Sequence, residues 1–369
     1  MKAKITQLAA LATFIFFLAS STAFAQLNTP RGSQKSTVSQ TIGISEVKVT
    51  YSRPSVRERE IWGKLVPYGM NNLGFGTAKE SPWRAGADEN TIITFSHDAM
   101  VGGKPIKAGT YGLHIIVKEN DRATIIFSNN STSWGSYFYK PSEDALRVDV
   151  LTTEIPHEEL LTYDFIKVNG DSATLALQWG KKEIPFNIKF DVTNIVLADI
   201  RNKMQDQPGF QRQTWEQAAG FALNNGGDLD EALAWINNAI AGQFYSKQTF
   251  NNTQIKAAIL MKQNKKTEAL AAMDEVLPIA TVFEIHGYGR QLIAQGMHDK
   301  ALEIFKYNAK KNKGTWPVHY GLARAYSAKG DHKSAAKHLK KALANAPNEA
   351  SKGRVQANLD KANKGESIN

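Results

Sequence analysis

Residues 316–349 read WPVHYGLARAYSAKGDHKSAAKHLKKALANAPNE, and this stretch decides the fold of the C-terminal half of the chain. Small and large side chains recur at helical spacing on both sides of Gly330, and Pro347 ends the second run. The pattern predicts two helices joined by a tight turn, because small residues let paired helices approach closely and proline stops a helix. The positions that carry it are Leu322, Ala323, Tyr326, Gly330, Ala335, Leu339, Ala342 and Pro347.

The same pattern recurs upstream at a nearly constant spacing. Ala301 lies 34 residues before Ala335. Ala269 precedes Ala301 by 32 residues, and Ala232 precedes Ala269 by 37. A helix–turn–helix period of about 34 residues is the signature of the tetratricopeptide repeat. The sequence therefore resembles an array of about four such repeats, with the pattern clearest in the last two.

The repeats define the organisation of the C-terminal half. We predict a linker helix over residues 193–212, an all-α helical repeat array over 213–350, and a C-terminal cap or tail over 351–369. A repeat array buries its core between neighbouring repeats and leaves a concave surface for partners. The expected partner of this part of the chain is a protein.

The N-terminus has the pattern of a secretory signal peptide. Lys2 and Lys4 precede an apolar run over residues 8–19, and Ala23-Phe24-Ala25 resembles a cleavage site. The apolar run is shorter than the ~20 residues that a membrane span needs. We therefore expect residues 1–25 to be removed by cleavage near Ala25. The mature chain is predicted to be exported, to the periplasm or outside the cell, without a transmembrane segment.

Composition excludes several kinds of chemistry. The chain has no cysteine, so disulfides, thiolate zinc sites, iron–sulfur clusters and cysteine nucleophiles are impossible. The formal net charge is +10. Residues 301–369 contain 14 Lys and Arg against 5 Asp and Glu, so the basic character belongs to the C-terminal end.

Residues 26–192 have the features of a β domain. Short runs rich in β-branched and aromatic residues are separated by turn residues, with no segment of helical period between them. Asn169-Gly170 lies between two such runs and is a strong hairpin signal. The fold class predicted for the whole chain is therefore α+β with two domains: an antiparallel β-sandwich or barrel, followed by the helical array.

Several motifs of this region resemble a bacterial family catalogued as domain of unknown function 2911. They are TVSQTIGISEVKVTYSRPSVREREIWGKLVPYG, WRAGADENTIITF, VGGKPIKAGTYGL, TIIFSNN, WGSYFY and LRVDV. The resemblance implies an exported protein of a kind common in Bacteroidota, and it implies no particular activity. The chain departs from the family pattern where residues 70–82 separate Gly69 from Trp83, since the family runs almost directly from VPYG to WR.

The densest run of unusual side chains is residues 51–95, a stretch rich in glycine and proline that reads as an ordered loop region. Its arginines match carboxylate or phosphate groups, and its aromatic rings stack on sugars or on partner side chains. The alternative is structural: Arg84 pairs with Glu89 or Asp88, and the tryptophans fill the open end of the sandwich. The candidate residues for a small-molecule or glycan ligand are Arg53, Arg57, Arg59, Trp62, Tyr68, Trp83, Arg84, Glu89 and Asn90.

Catalytic motifs are missing from the sequence. There is no H-E-x-x-H, no G-x-S-x-G and no phosphate-binding G-x-x-x-x-G-K-[ST]. We therefore predict no catalytic residue, no metal site and no cofactor. The sequence favours an exported, non-enzymatic scaffold whose repeats bind a protein and whose β domain has an unknown ligand.

Two other functions are compatible with the sequence. The first is a hydrolase-type enzyme with Glu89 as general acid or base, which requires Glu89 and Arg84 in one pocket and a raised carboxylate pKa. The second is binding of polyanions or lipid headgroups by a basic helix face. That face comprises Lys333, Lys337, Lys340 and Lys341. The competing interpretation is that these lysines only form a solvated helix face opposite the core. Nucleic acid is not an expected partner, because no nucleic-acid-binding motif occurs.

Overall fold

A computed structural model describes residues 29–369 of the protein. Within this range the chain divides into two compact units, the first ending at Val192 and the second spanning Thr193–Asn369. The predicted signal peptide lies outside the described residues. None of the helices in the described range is long and apolar enough to cross a membrane.

Two antiparallel sheets form the N-terminal unit, which confirms the predicted fold class. One sheet has the order β1 (Gln34–Ile42), β2 (Ser45–Arg53), β3 (Ile92–Phe95), β6 (Gly109–Val117), β7 (Arg122–Ser128) and β8 (Asp144–Leu151). The other has the order β5 (Lys104–Ile106), β4 (Ala99–Val101), β10 (Ser172–Lys189) and β9 (Thr153–Val168). The Asn169-Gly170 turn joins β9 to β10, as the hairpin signal predicts.

The core of this unit lies between the inward faces of the strands. Alternate residues of β2 are buried, as expected for a strand with one face on a core. Phe127 of β7 packs edge to face on Phe186 of β10, with ring centroids 5.9 Å apart, so aromatic contacts join the two sheets. In β10 the left-handed Gly180 (φ 58°) lies at a shift in register with β9. Such a bulge bends the strand, and Trp179 is the residue directly before it.

Ten α-helices form the second unit within the described residues. They are α1 (Val192–Lys203), α2 (Arg212–Asn225), α3 (Leu229–Ile240), α4 (Phe250–Lys262), α5 (Lys266–Val276), α6 (Val282–Ala294), α7 (His298–Lys311), α8 (Trp316–Ala328), α9 (His332–Ala344) and α10 (Glu349–Asn363). The segment 193–212, predicted as one linker helix, is helical only to Lys203. A 3₁₀ turn follows at Gln207–Phe210, where Pro208 lies at the start and the side chain of Asp206 caps the turn.

The small residues of the repeat pattern lie where helices meet. Ala232, Ala269, Ala301 and Ala335 are all essentially inaccessible to solvent. Phe305 of α7 lies between Gly289 of α6 and Gly321 of α8, and a Cβ at either glycine would overlap its ring. Close helix approach in this unit therefore depends on residues without large side chains.

The last helix covers the end of the array. Val355 and Leu359 of α10 are buried and belong to one apolar cluster with Leu339 of α9. Ile368, beyond the helix, is buried in the same cluster. The terminal repeat is thus shielded from solvent, as repeat arrays require.

Candidate functional site

A cavity of about 450 Å³ opens in the β unit. Three arginines line it: Arg57, Arg59 and Arg84. Trp83 and Trp179 line it as well. We call this cavity the arginine pocket. Its volume is in the range of about 300–1,000 Å³ that is typical of small-molecule sites.

Three strands, β6, β9 and β10, position residues of this pocket. Trp83 exchanges backbone hydrogen bonds with Ile115 of β6, with N–O distances of 3.0 and 2.8 Å. The backbone N–H of Arg57 donates to a carboxylate oxygen of Glu159 on β9 over 3.0 Å. Trp179 comes from β10, beside the bulge at Gly180. Segments far apart in sequence therefore meet at this cavity.

Two turns at the pocket have strained backbone conformations. Arg57, Glu58, Ala85 and Asp88 have φ values of 49°, 60°, 51° and 58°. A residue other than glycine in the left-handed conformation costs about 1 kcal/mol or more of folding free energy. Such residues concentrate at functional sites. Hydroxyl groups help to hold one turn, because Thr91 and Tyr163 both donate to the carbonyl oxygen of Ala85, over 3.1 and 2.9 Å.

The arginine side chains are held in place without neutralisation. Arg59 donates from its guanidinium to the carbonyl oxygens of Val56 and Ser55. Arg84 donates to the carbonyl oxygen of Asp88 over 2.8 Å, and its guanidinium lies 5.0 Å from the ring centroid of Tyr137. Among the described residues, ion pairs hold Arg31, Arg147, Arg201 and Arg212, but none holds a pocket arginine. With Asp88 as its one lining carboxylate, the pocket carries excess positive charge.

The tryptophans form the wall and the backing of the pocket. Trp83 and Trp179 stack with centroids 5.9 Å apart, and Trp62 meets both edge to face at 5.8 and 6.1 Å. Trp83 Nε1 donates to the carbonyl oxygen of Gly86 over 3.2 Å. Trp62 does not line the cavity, so its contribution is to pack behind the other two rings.

The structure separates the remaining candidate residues from the pocket. Arg53 donates to the carbonyl oxygen of Leu161 and to the hydroxyl of Thr162, which ties β2 to β9. Tyr68 packs over Gly63 outside the pocket lining. Glu89 and Asn90 line a different cavity of about 240 Å³. The structure therefore brings together Arg57, Arg59, Trp83 and Arg84, and it places Arg53, Trp62, Tyr68, Glu89 and Asn90 elsewhere.

Glu89 does not meet the requirement for a general acid. It forms an ion pair with Arg31, and the hydrogen bond from Arg31 holds the pKa of Glu89 below its usual value. The hydrolase hypothesis needed a raised pKa and a cavity shared with Arg84. Neither condition is met, and Arg84 instead bonds the backbone of Asp88. The described residues show no ion pair of Arg84 with Glu89 or Asp88, and Arg84 instead holds this turn through the carbonyl oxygen of Asp88.

A buried polar pair at the pocket, whose Ser136 belongs to the lining, was not among the sequence candidates. His114 Nδ1 lies 2.9 Å from the hydroxyl of Ser136, and both residues are buried. The hydroxyl of Ser81 donates to the carbonyl oxygen of Ser136 over 2.8 Å. Burial, together with the nearby charge of Arg84, lowers the pKa of His114 to about 4, so this imidazole is neutral at pH 7. No local motif marks the pair, because its members lie 22 residues apart.

The helical unit has two further cavities. One, of about 280 Å³, is lined by residues of several helices, among them Gln254, Met261, Met273, Tyr288 and Gln291. We call it the methionine groove. Gln254 donates to the side-chain oxygen of Gln291 over 2.9 Å, and the hydroxyl of the buried Tyr288 has no hydrogen-bond partner.

The second cavity lies at the predicted basic face. Lys333, Lys337 and Lys340 of α9 line a shallow space of about 550 Å³ beside the end of α10. Lys341 is on the same helix but outside this lining. Three of the four lysines that the helical spacing groups therefore line one cavity.

The fold and its cavities define a class of protein: an antiparallel β unit with a cationic pocket, followed by a helical repeat array. Residues 33–188 match the family described as "Protein of unknown function (DUF2911)". Residues 292–359 match the family described as "Tetratricopeptide repeat". Both resemblances seen in the sequence are therefore confirmed. No curated protein matches the chain.

Three of the solved structures that are similar to part of this chain are described as tetratricopeptide repeat proteins. The C-terminal part of a repeat-containing protein from Cytophaga hutchinsonii is 16% identical, with 47% of this chain and 70% of that one covered and a TM-score of 0.33. A protein from Parabacteroides merdae is 13% identical, covers 48% and 74%, and has a TM-score of 0.32. YrrB, described as a TPR protein with an unusual peptide-binding site, is 16% identical, covers 45% and 84%, and has a TM-score of 0.30.

Proposed function

We propose that this chain is an exported, non-enzymatic binding protein. Its helical repeats bind a protein partner, and its arginine pocket binds a small anionic ligand. The observation that carries the proposal is that three arginines, without ion-pair partners among the described residues, line one cavity. The signal-peptide pattern of residues 1–25 supports export.

The chemistry of arginine favours an anion with oxygen atoms. A guanidinium presents several N–H donors in a planar fork that matches carboxylate and phosphate groups. Arg59 and Arg84 use part of this fork to hold their own backbone, which fixes the orientation of the rest. Because the donors are already ordered, binding an anion sacrifices little side-chain entropy.

Anion binding to the pocket should depend on its arginines and on salt. We expect inorganic phosphate and acetate to raise the melting temperature of the full chain, and we expect Arg57→Ala and Arg84→Ala to weaken binding roughly 10-fold or more each, as for other charged hydrogen bonds. The stabilisation should decrease as NaCl is added, because salt screens exposed charges. A thermal-shift titration measures both effects.

The matched control for these variants is Arg122→Ala. Arg122 is an exposed arginine of the same unit, on β7, and it is outside the pocket. Stabilisation that survives in Arg57→Ala and Arg84→Ala as well as it does in Arg122→Ala would exclude the pocket as the anion site.

The methionine groove supports the proposal of a protein partner. Methionine side chains adapt to different apolar shapes, and the amides of Gln254 and Gln291 in the lining offer polar contacts to a peptide. The groove is lined by four helices, α2, α4, α5 and α6. Its shape therefore depends on how neighbouring repeats stack.

A charge introduced into this groove should abolish peptide binding. Peptides selected on the full chain from a random display library are expected to lose affinity for Met261→Lys, because burying an ammonium group against them is unfavourable. Ile279→Lys is the control, since Ile279 is exposed in the same unit and lies outside the groove. Fluorescence anisotropy measures both affinities, and equal loss in the two variants would speak against the groove.

A further inference from the structure

Exposed apolar side chains lie in the lining of the arginine pocket and beside it. Leu65 and Leu73 line the pocket, yet their exposed fractions are 44% and 38%. Phe75, two residues beyond Leu73, is 69% exposed, and Phe138 is 39% exposed. We call these four residues the apolar rim. Apolar residues gathered on a surface in this way mark a binding site more often than single exposed ones do.

The rim is continuous with the cationic interior. The ring of Phe75 lies 5.7 Å from that of Tyr137 and 6.3 Å from that of Phe138. Tyr137 in turn lies against the guanidinium of Arg84, which lines the pocket. An apolar track therefore leads from Arg84 to the outer surface of the unit.

The loop that carries part of the rim is held in place. Asn71 and Ser81 exchange backbone hydrogen bonds of 2.9 and 2.8 Å, which close the segment between them. The backbone N–H of Ala78 donates to the carbonyl oxygen of Tyr137 over 3.1 Å. A Cβ at Gly76 would overlap that same carbonyl group, so the loop approaches Tyr137 closely. Leu73, which lines the pocket, and Phe75 are thus carried by a loop that is held in place.

We infer that the ligand of the arginine pocket is a single-chain amphiphilic anion, with a carboxylate or phosphate headgroup at the arginines and an apolar chain along the rim. This inference rests on the proposed function, because it takes anion binding in the pocket as given. Three arginines against one lining carboxylate select a negative headgroup. The stacked Trp83 and Trp179 continue the apolar surface within the pocket, whereas a compact anion would leave the rim exposed.

The test is a chain-length series measured by isothermal titration calorimetry on the full chain. Butanoate, hexanoate, octanoate and decanoate are used below their micelle concentrations, with octyl phosphate to compare headgroups. Affinity should rise about tenfold for each added pair of methylenes that the protein buries. Leu73→Ser with Phe75→Ser should flatten the series while butanoate binding is retained. Arg84→Ala should weaken every member by a similar factor.

The control variant is Leu151→Ser, which removes an apolar side chain that is 67% exposed and lies outside the pocket. It should leave the series unchanged. Equal binding of butanoate and decanoate, still sensitive to Arg84→Ala, would overturn the amphiphile inference and preserve anion binding. Absence of binding by every carboxylate and by octyl phosphate would overturn both.

Two further outcomes would also overturn the inference. Decanol binding as tightly as decanoate would show that the headgroup contributes nothing. Binding to phosphatidylglycerol vesicles that requires Leu73 and Phe75, without binding of the free amphiphiles, would identify the rim as a membrane-surface contact instead.

Discussion

Replacing Phe305 with alanine is expected to destabilise the helical unit by about 4 kcal/mol, which is typical for the truncation of a core aromatic residue. Phe305 is fully buried, and its neighbours on two sides are Gly289 and Gly321. Glycines have no side chains that can move into the space, so the cavity left by the ring should persist. The edge-to-face contact with His286, at 5.5 Å between centroids, would be lost as well.

Urea unfolding of the full chain, followed by circular dichroism at 222 nm, measures this effect, because the helices dominate the signal at that wavelength. Phe283→Ala is the control: Phe283 belongs to the same unit and is 63% exposed. It should change the free energy of unfolding by less than about 1 kcal/mol. Similar losses of unfolding free energy in the two variants would mean that the packing of α6, α7 and α8 does not depend on Phe305.

The second large effect is a loss of stability of the β unit as pH falls from about 6.5 to about 4. In an unfolded chain the pKa of histidine is about 6.5. In the folded protein, burial lowers the pKa of His114 to about 4. Between these values the unfolded state binds a proton that the folded state does not. Stability therefore decreases as pH falls, by up to about 3 kcal/mol for this residue.

His114→Gln should reduce this pH dependence, because glutamine retains hydrogen-bonding capacity towards Ser136 but does not titrate. The groups that face His114 are Ser136, the ring of Tyr139 at 5.6 Å and the charge of Arg84. Chemical denaturation at pH 7.0, 5.5 and 4.5 provides the measurement, with His97→Gln as the control at a half-buried position. Parallel stability curves for the native chain and His114→Gln would refute the assignment.

The helical array could be predicted because its signal is local and repeated. Each repeat needs small residues where its helices meet, and Ala301 and Ala335 occupy such places. The β character of the N-terminal unit could also be predicted, because strand-forming runs and turn residues alternate along the chain. The order of its strands depends on pairing between distant segments, which no local pattern specifies.

The site could be predicted only in part. Arg57, Arg59, Trp83 and Arg84 do converge, but Glu89 lines another cavity. Asp88 lies between Arg84 and Glu89 in sequence, and its left-handed backbone turns the chain there. A residue other than glycine in that conformation cannot be recognised from the sequence. Trp179 belongs to the last strand of the β unit in sequence. It reaches the pocket because distant strands pair, and composition and spacing do not reveal that pairing.

Anion binding by the arginine pocket is tested most directly by arginine side-chain NMR on the full chain. Arg57→Lys, Arg59→Lys and Arg84→Lys assign the Nε–Hε signals, and phosphate or octanoate is then titrated. The signals of these three arginines should shift together and saturate, while those of Arg122 and Arg201 should stay in place. Shifts spread equally over all arginines, or confined to arginines outside the pocket, would contradict the proposed site.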